Sequence, residues 1–185
     1  MRWGKGGNAV VDRIKLNVDQ FQHRPFYSWD KQWYLLAAGD FARGDYNAMT
    51  VGWGGIGVMW GRPFVHVVVR PQRYTYAFME RSDSFTLSAF PAVQHEALQL
   101  LGAKSGRDGD KLAEAGLTPA ASEMISAPSF LEAELIFECA KIYWDDLEPA
   151  QFLEDWIEKR YPSRDYHRIY YGEVLSIHAV PAYSR

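Results

Sequence analysis

Two short basic segments carry the residue types that bind phosphate. The first, residues 69–76, leaves an apolar stretch and turns at Pro71. It then places Arg70, Arg73 and Thr75 around a predicted helix start. Guanidinium groups make charge-assisted hydrogen bonds to phosphate oxygens, and the first amides of a helix add partial positive charge. The segment predicts a phosphate site; surface ion pairs for both arginines and a helix cap at Thr75 are the alternative.

The second segment, residues 104–111, holds three basic residues, one serine and two glycines in a single loop. It precedes another short helix, which we expect to start with Asp108 as its cap and to end near Gly116. By itself the loop predicts either a second anion site or a solvated turn.

A glycine-rich segment, residues 52–57, literally matches the G-x-G-x-x-G pattern of dinucleotide-binding proteins. That fingerprint must open a helix that faces the pyrophosphate. Residues 58–63 have no helical period and end at Pro63, so we reject this interpretation. Without Cβ atoms the backbone can approach a flat ring system closely, and a barrel corner bent at glycine is the alternative use.

No metal centre or nucleophile is indicated by the remaining reactive residues. The five histidines show no ligand spacing, and no cysteine or carboxylate cluster completes a zinc site. Ser88 and Ser105 lie outside any G-x-S-x-G motif, which gives hydrolase chemistry little support. Cys139, the single cysteine, lies in an apolar run and is expected to be a buried hydrophobic residue.

Short segments rich in valine, threonine and aromatic residues indicate a mainly β protein. Strands are predicted at residues 33–38, from near 47 to 56, and at 64–69, 85–89, 131–143 and 169–178. The strand at 131–143 alternates apolar and polar residues, which predicts one face towards water. Helices are predicted from Pro91 to Gly102, at 152–157, and from Thr75 to Arg81.

Composition restricts the class of protein. The chain of 185 residues suits one domain, and it is 48% hydrophobic and 15% aromatic with a net charge of -3. These values exclude a disordered chain and a basic nucleic-acid binder. No apolar stretch is long enough for a membrane span, and residues 1–7 lack a secretory apolar core, so we expect a cytoplasmic protein. Residues 1–32 are expected to form an N-terminal arm, and residues 33–185 the domain.

Several of these segments, in the same order, resemble the flavin reductase-like family and in particular its flavoredoxin-type branch. They are residues 47–60, 69–76, 85–88, 105–111 and 165–173. The resemblance implies a split β-barrel with a Greek-key arrangement and a few short peripheral helices. It also implies a homodimer that holds FMN near the subunit interface.

Carried over residue by residue, the resemblance implies one cofactor site. Its isoalloxazine contacts would be Asn47, Thr50, Gly52 and Trp53, and its phosphate or ribityl contacts Arg73, Thr75 and Lys111, with Ser88 and Ser105 as weaker candidates. Met49, Val51, Arg70 and Tyr74 are further cofactor-binding candidates, and Trp53 or Tyr74 would cover one face of the ring. Because FMN has one phosphate, both basic segments must reach the same ligand.

The resulting hypothesis is an FMN-dependent oxidoreductase in which the flavin, not a side chain, performs the electron or hydride transfer. NADH, NADPH or a redox protein such as ferredoxin would be the donor. The alternatives are a flavin-binding electron carrier or storage module and a cofactor-free interaction protein.

Overall fold

An antiparallel sheet of eight strands dominates the computed structural model, which describes residues 2–3 and 9–185. Its strands are β3 (Ile14–Leu16), β4 (Tyr34–Asp40), β5 (Asp45–Val51), β6 (Gly54–Met59), β7 (Arg62–Val69), β8 (Ser84–Ala89), β11 (Leu135–Asp146) and β12 (Arg168–Ala179). Two small two-stranded pairs accompany it, β1 (Arg2–Trp3) with β2 (Ala9–Val10) and β9 (Pro119–Ala120) with β10 (Ser129–Phe130).

Short helices lie between the strands. They are α1 (Pro25–Tyr27), α2 (Tyr74–Arg81), α3 (His95–Ala103), α4 (Lys111–Glu114) and α5 (Asp155–Glu158), with a π-helical turn at Ser28–Gln32 after α1. Single 3-10 turns occupy Val18–Gln20, Ala92–Gln94, Gly106–Asp108, Pro149–Gln151 and Pro181–Tyr183. The mainly β class expected from the sequence is therefore confirmed.

The sheet curls towards a barrel. Its strands follow the order β5-β4-β8-β11-β12-β7-β6, with β3 added beside β12. The strands at the two ends of this order, β5 and β6, are joined by only Gly52 and Trp53. The chain therefore holds the two ends of the path close together at this point.

Two apolar cores lie on opposite faces of β4, because successive side chains of a strand alternate. Tyr34, Leu36 and Ala38 belong to one core, and Leu35 and Ala37 belong to the other. The second core continues into α3. Since both faces are covered, β4 is apolar throughout most of its length.

The predicted wet face of the strand at 131–143 is wrong. β11 begins only at Leu135, and its first five residues are all buried. The carboxylate of Glu138, only 2% exposed, accepts hydrogen bonds from the backbone N–H groups of Glu123 at 2.8 Å and Met124 at 2.7 Å. A buried acid that binds a covering loop has the same sequence spacing as one that faces water, so the pattern could not distinguish them.

Both predicted helix N-caps lie two residues from the observed N-caps. Arg73 is the N-cap of α2, and Thr75 lies inside its first turn. Asp108 ends a 3-10 turn, whereas Asp110 caps α4 by accepting a hydrogen bond from the N–H of Ala113 at 3.1 Å. Two further predictions need correction: the strand expected to run to residue 56 breaks between β5 and β6, and the helix expected at 152–157 is reduced to α5.

The N-terminal segment contacts the sheet directly. β3 pairs with β12, and Phe21 forms an isolated bridge with Ser184 near the carboxyl end of the chain. The Phe21 ring also packs edge-on against Phe137 of β11, with 5.2 Å between centroids. The division between an arm and a domain at residues 32 and 33 stays a prediction.

Within the described ranges, no helix has both the length and the apolar character to cross a membrane.

The buried carboxylate of Glu138 gives a first testable prediction. Glu138→Gln should destabilise the protein by about 1–3 kcal/mol. The NH2 group of glutamine cannot accept a hydrogen bond, so one of the two backbone N–H groups would lose its partner. Denaturant unfolding followed by circular dichroism measures the effect. Glu154→Gln, at an exposed position, is the matched control and should change stability by less than about 0.5 kcal/mol. Equal stability of the two variants would contradict the structural role of Glu138.

Candidate functional site

The two basic segments meet at one cavity of about 160 Å³. β5 contributes Asn47 and Met49, and the start of α2 contributes Arg73, Tyr74 and Thr75. The opposite wall is the loop after α3, which contains Ser105, and the first residue of α4, Lys111. Seven of the thirteen predicted site residues therefore surround a single space.

Two cationic side chains are held together at this cavity by the carboxyl end of α3. The ammonium group of Lys111 donates to the carbonyl of Leu101 at 3.2 Å and to that of Lys104 at 3.1 Å. A guanidinium N–H of Arg73 donates to the carbonyl of Gly102. The last carbonyls of a helix carry partial negative charge and lack partners within the helix. They position both cations without a full neutralising charge.

Neither cation has a carboxylate partner among the residues that the structure describes. Lys111 is only 3% exposed. Burial, together with the nearby positive charge of Arg73, lowers the pKa of Lys111 to about 8. Burial also lowers the pKa of Arg73, and the charge of Arg70 acts in the same direction. An anion in this cavity would be stabilised by both cations and would favour the protonated form of Lys111.

Asn47 connects the strand to both basic segments. Its amide nitrogen donates to the hydroxyl of Thr75 at 2.7 Å, and both residues are buried. A Cβ added at Gly106 would lie 2.2 Å from the Asn47 side-chain oxygen, so only glycine allows the loop to approach this closely. The strand, the helix start and the loop are thus packed against one another at the cavity wall.

Arg107 is a lining residue that was not selected from the sequence. Its guanidinium group lies 4.7 Å from the centroid of the Tyr74 ring, and it has no ion pair within the described part of the chain. The sequence feature that could have identified Arg107 is the basic composition of residues 104–111. Gln72, Ala103, Lys104 and Gly106 complete the wall and were also not selected.

Six predicted residues lie outside this cavity, and four of them line neither it nor the second cleft described below. The Thr50 hydroxyl donates to the carbonyl of Leu98 at 2.6 Å, because Thr50 points to the opposite face of β5 from Met49. Val51 belongs to the barrel core, and Ser88 is fully buried with no partner for its hydroxyl in the described chain. Arg70 forms an ion pair with Asp165 at 2.6 Å, which is the surface pairing considered as its alternative.

Gly52 and Trp53 line a second, larger cleft of about 730 Å³. Trp29, Trp33 and Phe26 supply further aromatic walls. Met49 and Gly52 are three residues apart, which corresponds to about 10 Å along an extended chain. A ligand with an elongated form could therefore reach the cavity and the cleft together, and the convergence of all three segments on one flavin stays a prediction.

The other glycines of this segment serve internal packing. A Cβ at Gly54 would lie 2.3 Å from the carbonyl oxygen of His66 and 2.4 Å from the ring of Trp29. A Cβ at Gly55 would lie 2.6 Å from the His66 ring. Both positions are in strand β6, so the rejection of a dinucleotide-binding helix is confirmed. Close packing against His66 and Trp29 therefore accounts for glycine at these two positions.

The cavity walls consist of hydrogen-bond donors and small or apolar side chains, without a carboxylate or histidine. In the described residues, no group of three or more histidine, cysteine or acidic side chains is arranged to hold a metal ion. Cys139 is buried, as predicted, and burial raises the pKa of its thiol. The geometry favours binding of an anion at this place over acid–base catalysis.

Sequence comparison now identifies the family. The family described as "Flavin reductase like domain" matches residues 30–184, which is most of the chain. The chain belongs to the flavin reductase-like family. No curated protein gives a significant match.

Solved structures show the same fold. An FMN-binding domain of a flavin reductases-like enzyme from Shewanella baltica OS155 superposes with a TM-score of 0.66 at 17% identity, covering 93% of this chain and 79% of that one. Flavoredoxin of Desulfovibrio vulgaris (Miyazaki F) gives 0.63 at 21% identity, covering 98% and 78%. Flavoredoxin from Methanosarcina acetivorans gives 0.62 at 22% identity, covering 92% and 76%. The split-barrel fold expected from the sequence is confirmed.

The titration of Lys111 provides a test of the cavity in the ligand-free protein. Its pKa in the folded chain, about 8, lies below its ordinary value of 10.5. Between these values the unfolded chain binds more protons than the folded one, so stability should rise with pH. Urea unfolding from pH 7 to 10.5 should show this rise in the parent protein.

Lys111→Met removes the titrating group and keeps an apolar chain of similar length. The rise between pH 8 and 10.5 should be smaller in Lys111→Met than in the parent protein, while the other titrating groups act equally in both. Parallel stability profiles for the two proteins would show that Lys111 is not held in a buried cationic pair.

Proposed function

We propose that this protein is an FMN-binding flavoprotein and that it acts as an oxidoreductase, passing electrons or hydride through the bound flavin. One observation carries the proposal: Arg73 and Lys111 lie together at a small cavity, with no carboxylate partner in the described residues. Two cations that share one space favour a ligand group with more than one negative charge, which is the property of a phosphate monoester.

The size of the cavity fits part of FMN. Sites that enclose a whole small-molecule ligand usually measure about 300–1,000 Å³. At about 160 Å³, this cavity suits a phosphate and the adjoining ribityl chain. The flavin ring would then lie along β5 towards Gly52, where the second cleft has aromatic walls.

The residues of the chain bind and orient the cofactor in this proposal. Arg73, Lys111 and Arg107 provide positive charge for the phosphate, and the first turn of α2 adds backbone N–H groups. Asn47 and Thr75 fix the strand against the helix start through their hydrogen bond. FMN, when bound, supplies the redox chemistry. The family and a structural neighbour described as FMN-binding support this choice of cofactor.

A homodimer is part of the proposal. The second cleft is open, with Phe26 90% and Trp53 49% exposed. Nearby β6 exposes Val58 at 71%, and Trp60, in the turn after β6, is 65% exposed. Large apolar side chains exposed together on an edge strand favour an interface, and a second subunit at this place would enclose the ring end of the cofactor site.

The alternative is a flavin-binding electron carrier or storage module without substrate turnover. The cavity wall has no carboxylate or histidine, and this suits a carrier as well as an oxidoreductase, because both leave the redox step to the flavin. Both functions need the same phosphate contacts. They differ in whether an external donor reduces the flavin.

Arg73→Ala tests the cofactor site. The variant should bind FMN about 10–100-fold more weakly, because it loses a charge-assisted hydrogen bond to the phosphate. Its affinity for riboflavin, which has no phosphate, should stay close to that of the parent protein. Quenching of flavin fluorescence during titration measures both affinities.

Arg81→Ala is the matched control, since Arg81 lies at the other end of α2 in an exposed ion pair with Asp45. It should leave the FMN affinity unchanged. If Arg73→Ala weakens FMN and riboflavin equally, the cavity does not recognise a phosphate. If neither ligand binds the parent protein, the cofactor proposal itself fails.

Reduction by pyridine nucleotides separates the two candidate functions. The FMN-loaded protein is mixed with NADH or NADPH without oxygen, and the flavin absorption band is followed by stopped flow. Rapid bleaching with either donor supports the oxidoreductase. Stable absorption with both donors, combined with bleaching by dithionite, excludes an oxidoreductase that takes its electrons from a pyridine nucleotide and supports the electron carrier.

A further inference from the structure

A third cavity, of about 520 Å³, lies between the N-terminal segment and the start of α3. It shares no lining residue with the phosphate-sized cavity. Five of its lining residues precede residue 30, where the family match begins. This cavity is therefore built partly by a segment outside the matched family domain.

Aromatic rings lie on two sides of its wall. Tyr27 comes from α1 and Tyr183 from the carboxyl end of the chain, and both are partly exposed. Phe90, before the turn into α3, and Leu98, within α3, line the same wall but are each only 1% exposed. Rings placed on two sides favour a ligand that is itself a ring, because flat faces bury the most area against one another.

The one acidic side chain on this wall is already occupied. A carboxylate oxygen of Glu134 accepts hydrogen bonds from the amide nitrogen of Gln32 at 2.6 Å and from the hydroxyl of Tyr183 at 2.5 Å. Burial and the hydrogen bond to Glu134 raise the pKa of Tyr183, so this hydroxyl stays neutral and keeps donating. These contacts stabilise the charge of Glu134 within the wall.

Positively charged side chains also line this cavity. Arg24 has no ion pair in the described chain, and its guanidinium group lies 4.7 Å from the centroid of the exposed Tyr27 ring. Lys31 lies on the same wall and pairs with Asp30 in an exposed contact. The Nε2 atom of His23 is buried without a partner in the described residues. A buried polar atom without a partner often marks a place where water or a ligand group binds.

The start of α3 adds to this positive character. Pro91, Ala92 and His95 line the cavity at this point. No side chain caps either the 3-10 turn at Ala92–Gln94 or α3 itself. The N–H groups of Gln94 and His95 are bonded to the carbonyls of Pro91 and Ala92, so the partial positive charge lies on the earlier N–H groups of this turn and acts in the same direction as Arg24.

We propose that this cavity binds a small ring-bearing monoanion of the aryl carboxylate class. The ring lies between Tyr27 and Tyr183, and the carboxylate faces Arg24 and the start of α3. The apolar walls disfavour a free inorganic anion, and the unpaired guanidinium disfavours a cation. The cavity shares Tyr27 and Lys31 with the cleft that contains Trp53, so a ligand bound here lies next to the predicted ring end of the flavin site. The proposal does not depend on flavin binding.

Calorimetric titration of the full chain with 2-naphthoate tests the proposal, and 2-naphthamide is the uncharged probe of the same shape. We expect saturable binding of 2-naphthoate and about tenfold weaker binding of 2-naphthamide, because the amide loses the charge-assisted contact. The titration is done with and without saturating FMN. Binding of 2-naphthoate in either form, whatever the result for FMN, supports the proposal; no binding in both forms, or equal affinity for the two probes, overturns it.

Variants then locate the site. Arg24→Gln should weaken 2-naphthoate about tenfold and leave 2-naphthamide nearly unchanged, whereas Ala92→Trp should prevent binding of both probes by filling the cavity. Both positions are exposed, so the fold should tolerate these changes, and thermal unfolding checks this. Arg43→Gln is the control, because that side chain is 82% exposed and does not line the cavity. Equal weakening by Arg24→Gln and Arg43→Gln, or full binding to Ala92→Trp, overturns the proposal.

Discussion

The carboxyl end of α3 holds Arg73 and Lys111 beside one another, and the proposed site depends on this interaction. Three backbone carbonyls accept hydrogen bonds from the two cations, but they provide only partial negative charge. Burial, and after it the positive charge of Arg73, lowers the pKa of Lys111. A site that positions two cations without neutralising them is ready to bind an anion. The free energy needed to hold the two like charges together is offset by the rest of the fold.

The barrel makes this arrangement possible because it fixes three separate segments. β5 carries Asn47 into the cavity and turns Thr50 to the other face, where it binds α3. The same strand ends at Val51, and the next residue, Gly52, lines the aromatic cleft. One strand therefore sets the distance between the phosphate-sized cavity and the surface that a planar ring could cover. The packing of α3 on β5 links both places to the second apolar core.

Much of the fold could be predicted from local patterns. The main strands, α2 and α3 were expected near their observed positions, since valine, aromatic residues, glycine and proline mark them directly. The buried face of β11 could not be predicted, because Glu138 gives the strand an apparent polar face. Its partners are the backbone N–H groups of Glu123 and Met124, which lie in a loop outside the strand. The alternation of residues within the strand does not reveal them.

The sequence by itself determined the family, the mainly β class and the two basic segments with phosphate-binding residue types, because these depend on residue identity and on short-range order. Only the tertiary structure decided that both segments share one cavity, that Arg70 pairs with Asp165, and that Thr50 and Ser88 lie away from it. It also revealed the cavity beside Arg24. The physical reason is that side-chain direction and long-range pairing follow from the register of the curled sheet, which brings together residues that are far apart in the chain.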